Sequence, residues 1–154
     1  MQDDALVVLL VEDNPAHAEI IIRLLQEYRT NQRVYHVSDG EVALDYLYRH
    51  GIYADHVQYP TPNLVLLDLR LPKIDGLEVL RQIKASEELR TLPVVVLSSS
   101  EAQADIAAAY LQDVNSYLVK PMDYKKFAVL IEPLELLKSH APVDAVFCAN
   151  DKMA

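Results

Sequence analysis

The stretch NLVLLDLRLPKIDG, residues 63–76, places a carboxylate directly after a short, uninterrupted apolar run. Residues 64–67 are too few to span a membrane and do not alternate with polar residues, so they predict a central strand buried on both faces. Parallel α/β sheets bind ligands beyond the carboxyl ends of their strands, and a charged side chain is costly to bury without a partner. Asp68, at the end of this strand, is therefore the first candidate for chemistry.

Four other segments have the composition of strands, and they alternate along the chain with segments of helical periodicity. These strands are predicted at residues 6–11, 33–37, 94–97 and 116–119. The first helix is predicted to begin with Asn14 as its N-cap and Pro15 as its first residue. Further helices are predicted at the capping-box pattern from Ser38 to Glu41, at Asp75 with Glu78, at Ser100 with Gln103, and near Asp123. Gly51 is the predicted stop of the second helix. The alternation predicts an α/β fold with a doubly wound, five-stranded parallel sheet.

Functional side chains follow four of the five predicted strands. They are Glu12 and Asp13 after the first strand, then Asp68, Ser98 and Lys120. Because parallel strands end at one edge of a sheet, these side chains should meet in a single crevice. Grouped carboxylates repel one another unless a cation lies among them, and such oxygen ligands suit Mg²⁺, which also bridges to phosphate. Acids also favour helix N-termini, but Asn14 can cap the first helix instead.

The hydroxyl and the ammonium group at this edge indicate a phosphoryl ligand. Lys120 would hold one phosphoryl oxygen as a point charge, and Ser98 would donate a hydrogen bond to another. Asp68, the central carboxylate, would be the group that attacks phosphorus.

The composition favours one domain, since 154 residues are enough for one sizeable core. A net charge of −9 would repel a phosphate backbone, so nucleic acid is not an expected partner. The first residues lack the regions of a secretory signal, and no apolar run is long enough to cross a bilayer. The single cysteine, Cys148, cannot form an internal disulfide. These features predict a cytoplasmic protein without a membrane partner.

Taken together, these residues resemble the response-regulator receiver domain of two-component signalling. The matching positions are the acidic pair Glu12-Asp13, the pattern from Asp68 through Pro72 to Gly76, Ser98, Tyr117 and Lys120-Pro121. The resemblance implies a flavodoxin-like sheet of strand order 2-1-3-4-5 over residues 1–138. We expect residues 139–154 to be a tail or arm, because the sixteen residues after Lys138 are too few for an effector domain.

The resemblance assigns a role to each site residue. Asp68 would be the phosphoacceptor, Mg²⁺ would be bound by Asp13, Asp68 and the Arg70 backbone carbonyl, and Glu12 would act through a water. Lys120 and Ser98 would assist the transfer. Ser98 and Tyr117 would form the switch pair that remodels the surface of the fourth helix, fifth strand and fifth helix. The chain would then be no enzyme in the ordinary sense, apart from its own phosphorylation and autodephosphorylation.

The resemblance also implies partners. A sensor histidine kinase or a phosphotransfer protein would supply the phosphoryl group, and signalling would pass through contacts with another protein. The chain is similar to phytochrome-associated response regulators in three features: its stand-alone form, the long loop before the third strand, and the sequence PNLVLLD at residues 62–68. A phytochrome is therefore a candidate kinase.

Apolar side chains exceed what the sheet can bury in the predicted fourth helix, at residues 107–111, and in the tail, at Val143, Val146 and Phe147. Exposed apolar groups usually mark an interaction surface, and most soluble oligomers are two-fold dimers. We expect a homodimer through the face of the fourth helix, fifth strand and fifth helix, with the tail as an arm. The alternative is a tail that folds back on its own subunit or has no fixed structure.

Other functions fit the residues less well. Haloacid-dehalogenase-like phosphohydrolases need a second aspartate two residues after the nucleophile, where this chain has Arg70. A nucleotide-binding module needs a glycine-rich phosphate loop, and the glycines here are Gly40, Gly51 and Gly76 alone. A pseudo-receiver that keeps the fold as an interaction scaffold, without phosphorylation, stays open because fold alone does not establish function.

Overall fold

The computed structural model of the chain describes residues 5–28, 32–69, 71–98 and 116–119, with Tyr28, Ser98 and the last four residues described by their backbone alone. Five parallel strands form one sheet in the order β2-β1-β3-β4-β5. The strands are β1 (Leu6–Val11), β2 (Gln32–Val37), β3 (Leu64–Asp68), β4 (Val94–Ser98) and β5 (Ser116–Val119). The predicted fold class and strand order are confirmed.

Three α-helices lie within the described residues: α1 (Pro15–Tyr28), α2 (Gly40–Leu47) and α3 (Gly76–Ala85). A short 3-10 helix, Gly51–Ala54, follows α2. None of the helices among the described residues is long and apolar enough to cross a membrane. The predicted fourth and fifth helices, Arg70, Lys120 and the tail lie outside the described residues.

Each face of the sheet carries its own apolar core. Every residue of β1 and β3 is buried, as expected for strands covered on both sides. Side chains alternate between the faces, so Leu9, Val65 and Val96 pack with α2 and α3, whereas Leu10 and Leu66 pack with α1. The sheet is therefore doubly wound, and polar groups can gather only beyond the strand ends.

The start of α1 matches its prediction. Asn14 accepts hydrogen bonds through Oδ1 from the backbone nitrogens of Ala16, at 2.9 Å, and His17, at 3.2 Å. Two of the N–H groups that have no partner within the helix are thereby satisfied by Asn14. The carboxylates of Glu12 and Asp13 are consequently not needed as the N-cap of this helix.

The boundaries of α2 differ from the prediction at both ends. Asp39, not Ser38, is the N-cap, and its Oδ1 accepts a hydrogen bond from the Val42 nitrogen at 2.9 Å. The helix ends at Leu47, before Gly51, and the left-handed residue that follows is Arg49, with φ of 65°. A residue with a Cβ adopts this conformation only where other contacts hold it there.

The Arg49 side chain supplies those contacts. Its Nη1 donates to the carbonyls of Tyr53, at 3.2 Å, and Tyr59, at 2.6 Å, and its Nη2 lies 2.7 Å from His56 Nδ1 and 3.2 Å from Thr61 Oγ1. The long connection from α2 to β3 is thereby held by one guanidinium group. Gly51 lies within this connection and is the first residue of the 3-10 helix. It does not end α2, because that helix has already ended at Leu47.

The start of α3 is also only partly as predicted. Asp75 occupies the N-cap position, but its side chain makes no capping hydrogen bond. Glu78, predicted as its reciprocal partner, instead accepts hydrogen bonds from Arg81 and Gln82. The bond from Arg81 is the main cause that lowers the pKa of Glu78 to about 2. An arginine at i+3 thus competes successfully for this carboxylate.

Four tyrosines pack ring to ring, one from β2, one from α2 and two from the connection between α2 and β3: Tyr35, Tyr46, Tyr53 and Tyr59. The ring centroids of Tyr46 and Tyr53 lie 5.0 Å apart, and those of Tyr53 and Tyr59 lie 4.8 Å apart. Tyr46 is almost fully buried, and its hydroxyl donates to the Pro60 carbonyl at 2.8 Å. Burial is the largest cause that raises the pKa of Tyr46 from 10.0 to about 12.

Tyr46→Phe should lower the unfolding free energy by about 1 kcal/mol at neutral pH, because the Pro60 carbonyl loses its donor. A tyrosine with a raised pKa stabilises the fold fully below pH 10, and this contribution disappears as the pH rises toward 12. Urea unfolding of both proteins at a series of pH values should therefore show that the unfolding free energy of the unsubstituted chain falls more steeply between pH 10 and pH 12 than that of Tyr46→Phe. Tyr48→Phe, at an exposed position, is the control; equal alkaline slopes for Tyr46→Phe and the unsubstituted chain would contradict the prediction.

Candidate phosphorylation and metal site

Three carboxylates meet beyond the carboxyl ends of β1 and β3. Glu12 and Asp13 directly follow β1, and Asp68 is the last residue of β3, the neighbouring strand. One carboxylate oxygen from each of the three lies within 4.8 Å of the other two. Glu12 is fully buried, Asp68 is 3% exposed, and Asp13 is open to solvent. The structure thus brings together the three acids that the sequence assigned to one crevice.

Backbone hydrogen bonds fix the position of Glu12. Its nitrogen donates to the Val37 carbonyl at 3.1 Å, and its Oε2 accepts from the Asn14 nitrogen at 3.2 Å. This carboxylate is consequently held at the start of α1, where the helix dipole favours negative charge. The favourable position offsets part of the cost of burying a carboxylate beside two others.

Two histidines lie next to Glu12, and no sequence pattern specifically indicated them. Nδ1 of His17, in the first turn of α1, is 3.8 Å from Glu12 Oε2. Nε2 of His36, in β2, is 2.7 Å from the Glu12 carbonyl oxygen. The parallel pairing of Leu10 with His36 could have indicated the second contact, but only once the strand order was known. Neither histidine belongs to the three-acid cluster.

The remaining candidate residues are described in part or not at all. Leu97 pairs with Asp68, and Ser98, the next residue, ends β4 and pairs with Val119 of β5. Ser98 therefore lies at the same edge of the sheet as Asp68, and Tyr117 lies within β5. The structure describes only the backbone of these two residues. Lys120 and Arg70 lie outside the described residues.

The donor set suits a hard divalent cation. Carboxylate oxygens from buried and exposed acids are the ligands that Mg²⁺ and Mn²⁺ accept, and no histidine or cysteine nitrogen or sulfur is part of this cluster. Three carboxylates at this distance also repel one another in the absence of a cation. The cluster therefore fits a divalent metal site.

Comparison with known proteins agrees with this geometry. The family model described as response regulator receiver domain matches residues 8–132. The probable methanogenesis regulatory protein FilR2 of Methanothrix harundinacea is 45% identical over 133 residues, covering 86% of this chain and 83% of FilR2. The response regulator Rcp1 of Synechocystis sp. is 38% identical over 129 residues, covering 84% of this chain and 86% of Rcp1.

Solved structures show the same relation. The Mn²⁺-bound form of Rcp1 superposes with a TM-score of 0.70 and 37% identity, over 88% of this chain and 94% of that one. The phosphorylated cyanobacterial phytochrome response regulator RcpA superposes with a TM-score of 0.71 and 37% identity, over 90% of this chain and 97% of that one. The predicted resemblance, including that to phytochrome-associated regulators, is confirmed.

Asp13→Asn should raise the unfolding free energy in excess chelator by up to about 1 kcal/mol, because it removes one charge from a repelling cluster. The same variant should lose most of the stabilisation that millimolar Mg²⁺ gives to the unsubstituted chain. Chemical unfolding with and without Mg²⁺ measures both effects. Asp45→Asn, outside the cluster, should change neither, and a loss of stability in chelator for Asp13→Asn would contradict the prediction.

Proposed function

The chain belongs to the response regulator receiver domain family, and we propose that it is a signalling switch that accepts a phosphoryl group on Asp68. The observation that carries the proposal is the buried carboxylate of Asp68 at the end of β3, grouped with Glu12 and Asp13. An ordinary structural acid would not be expected almost fully buried beside two others. This arrangement supports a site that binds a cation and, beside it, an anionic phosphoryl group.

The transfer follows from the chemistry of the carboxylate. An Asp68 oxygen attacks phosphorus, the bond from phosphorus to the nitrogen of a donor phosphohistidine breaks, and the nitrogen takes up a proton. The product is an acyl phosphate on Asp68 and a neutral histidine on the donor. Hydrolysis of the acyl phosphate by water returns the carboxylate, so the chain is a phosphoacceptor and not an enzyme with a separate substrate.

The cation in this proposal is Mg²⁺, held by Asp13, Asp68 and the backbone carbonyl of Arg70, with Glu12 acting through a water. When bound, the ion would neutralise the carboxylates and the incoming phosphoryl oxygens. The three-acid cluster supports the ligand set. The relative Rcp1 has been solved in a form that binds Mn²⁺, an ion of similar ligand preference, and this also supports a divalent cation.

Ser98 and Lys120 would contact the phosphoryl oxygens from the two strands beyond β3. Ser98 is one residue past the pairing partner of Asp68, and Lys120 directly follows β5. With Tyr117, Ser98 would form a switch that changes the surface of the predicted fourth helix, β5 and the predicted fifth helix. Signalling would then pass to another protein through this face.

The donor would be a sensor histidine kinase, a phytochrome among the candidates, or a phosphotransfer protein in the cytoplasm. The relative RcpA is described as a phytochrome response regulator, which supports the phytochrome. The receiver domain would span residues 1–138 and the tail residues 139–154. A pseudo-receiver scaffold would share the fold but would not be labelled by any phosphodonor.

Asp68→Asn should abolish labelling by a small phosphodonor such as acetyl phosphate, because an amide keeps the shape of the carboxylate but is a poor nucleophile. The fold should survive, which circular dichroism checks. Labelling of the unsubstituted chain should require Mg²⁺ and should fail in excess chelator. Asp45→Asn is the matched control, and labelling of Asp68→Asn at the level of the unsubstituted chain would exclude Asp68 as the phosphoacceptor.

A homodimer should form through the face of the predicted fourth helix, β5 and the predicted fifth helix, with the tail as an arm. Light scattering at micromolar concentration on the full chain, and on a chain that ends at Lys138, measures the contribution of the tail. A dimer only with the tail would support the arm. A monomer for both chains, with and without phosphorylation, would exclude the dimer.

A further inference from the structure

Strand β2 holds both polar backbone groups of Glu12. The Glu12 nitrogen donates to the Val37 carbonyl at 3.1 Å, and the Glu12 carbonyl oxygen lies 2.7 Å from Nε2 of His36. The first contact uses a backbone carbonyl, which every residue type provides, whereas the second contact needs the imidazole ring. His36 is therefore the part of this anchor that depends on the sequence.

The partner of His36 fixes which ring nitrogen carries a proton. A carbonyl oxygen can only accept a hydrogen bond, so Nε2 of His36 must be the donor. The neutral ring with its proton on Nε2 and the doubly protonated ring both make this bond. The contact consequently acts by fixing the geometry of Glu12, and it does not require a change in the charge of His36.

The register of the sheet places His36 where its side chain can reach Glu12. His36 lies on the edge strand β2 and pairs with Leu10, two residues before Glu12. Its exposed side chain lines an open groove of about 360 Å³ beside α1, which Ala18 and Ile22 also line. An apolar side chain of similar size fits this groove, so His36 can be replaced without a change in the buried core.

The Glu12 carbonyl belongs to the peptide group that leads into Asp13. Because this group is planar, a bond that fixes the carbonyl also fixes the Asp13 nitrogen and limits the directions open to the Asp13 side chain. Asp13 is exposed, and its carboxylate makes no hydrogen bond or ion pair within the part of the chain that the structure describes. On its other side, the Asn14 nitrogen donates to Glu12 Oε2 at 3.2 Å. The backbone on either side of Asp13 therefore determines where its carboxylate lies.

We propose that His36 is a positioning residue for the acid cluster, and that it holds the peptide group between Glu12 and Asp13 so that the Asp13 carboxylate stays beside Asp68. The inference rests on the proposed function, because the cation that these acids would share belongs to it. It involves only the three carboxylates, of which one oxygen each lies within 4.8 Å of the other two. A ligand that becomes ordered only when the ion binds loses conformational entropy, so a looser peptide group weakens cation binding.

The test compares His36→Leu with His36→Gln on the full, unphosphorylated chain. Leucine removes the donor, whereas the amide nitrogen of glutamine can take the place of Nε2 and restore the bond. Titration with Mn²⁺, with the free ion measured by electron paramagnetic resonance, should give a dissociation constant about three- to tenfold higher for His36→Leu. His36→Gln should stay within about twofold of the unsubstituted chain. His50→Leu, at an exposed histidine outside the cluster, is the control and should leave the constant unchanged.

A merely structural His36 would lower the melting temperature of His36→Leu and leave its dissociation constant unchanged, and this result overturns the inference alone. Equal losses of affinity in His36→Leu and His36→Gln also overturn it, since the bond would then not be the cause. If His36→Leu does not fold, His36→Asn takes its place, because the shorter amide cannot reach the Glu12 carbonyl and should raise the constant likewise. No Mn²⁺ binding by the unsubstituted chain overturns the cation site of the proposed function as well.

Discussion

The burial of Asp68 determines how the neighbouring strands and their polar residues are arranged. This carboxyl group ends a strand whose other residues are apolar and buried on both sides of the sheet. A charge in that place is tolerated only if other groups or an ion stabilise it. Because cores cover both faces of the sheet, such groups can reach Asp68 only from the ends of neighbouring strands. Glu12 and Asp13 come from β1, and β4 ends beside Asp68 on the other side. Because the two acids from β1 repel the charge of Asp68, the cluster fits a divalent cation that would offset all three charges.

The sequence predicted the strands well because a parallel sheet buried on both faces needs unbroken apolar runs, which few other structures require. β1 and β5 were predicted to the residue, and the end of β3 at Asp68 followed from the same pattern. The acid cluster was predictable because strand ends of a parallel sheet share one edge. The contacts of His17 and His36 with Glu12 were not, since they depend on which helix and which strand lie beside β1.

The errors at the two ends of α2 have different physical causes. Ser38 and Asp39 are adjacent residues that both favour the N-cap position, and the sequence alone did not show that Asp39 would be placed to bond Val42. Gly51 is the usual residue for a left-handed stop, yet Arg49 takes that conformation because its side chain gains contacts across the following connection. At Arg49, these side-chain contacts outweigh the local cost of about 1–2 kcal/mol for a left-handed residue with a Cβ.

The acid cluster divides into a fixed part and an accessible part. Glu12 and Asp68 are buried, and Glu12 is held by backbone groups, so their positions change little without movement of the sheet. Asp13 is exposed, which leaves one carboxylate of the cluster in contact with water. A cation that retains several of its waters can approach from this side without an opening of the core. In the proposed function, a phosphoryl donor would reach Asp68 from this same side, next to the exposed Asp13.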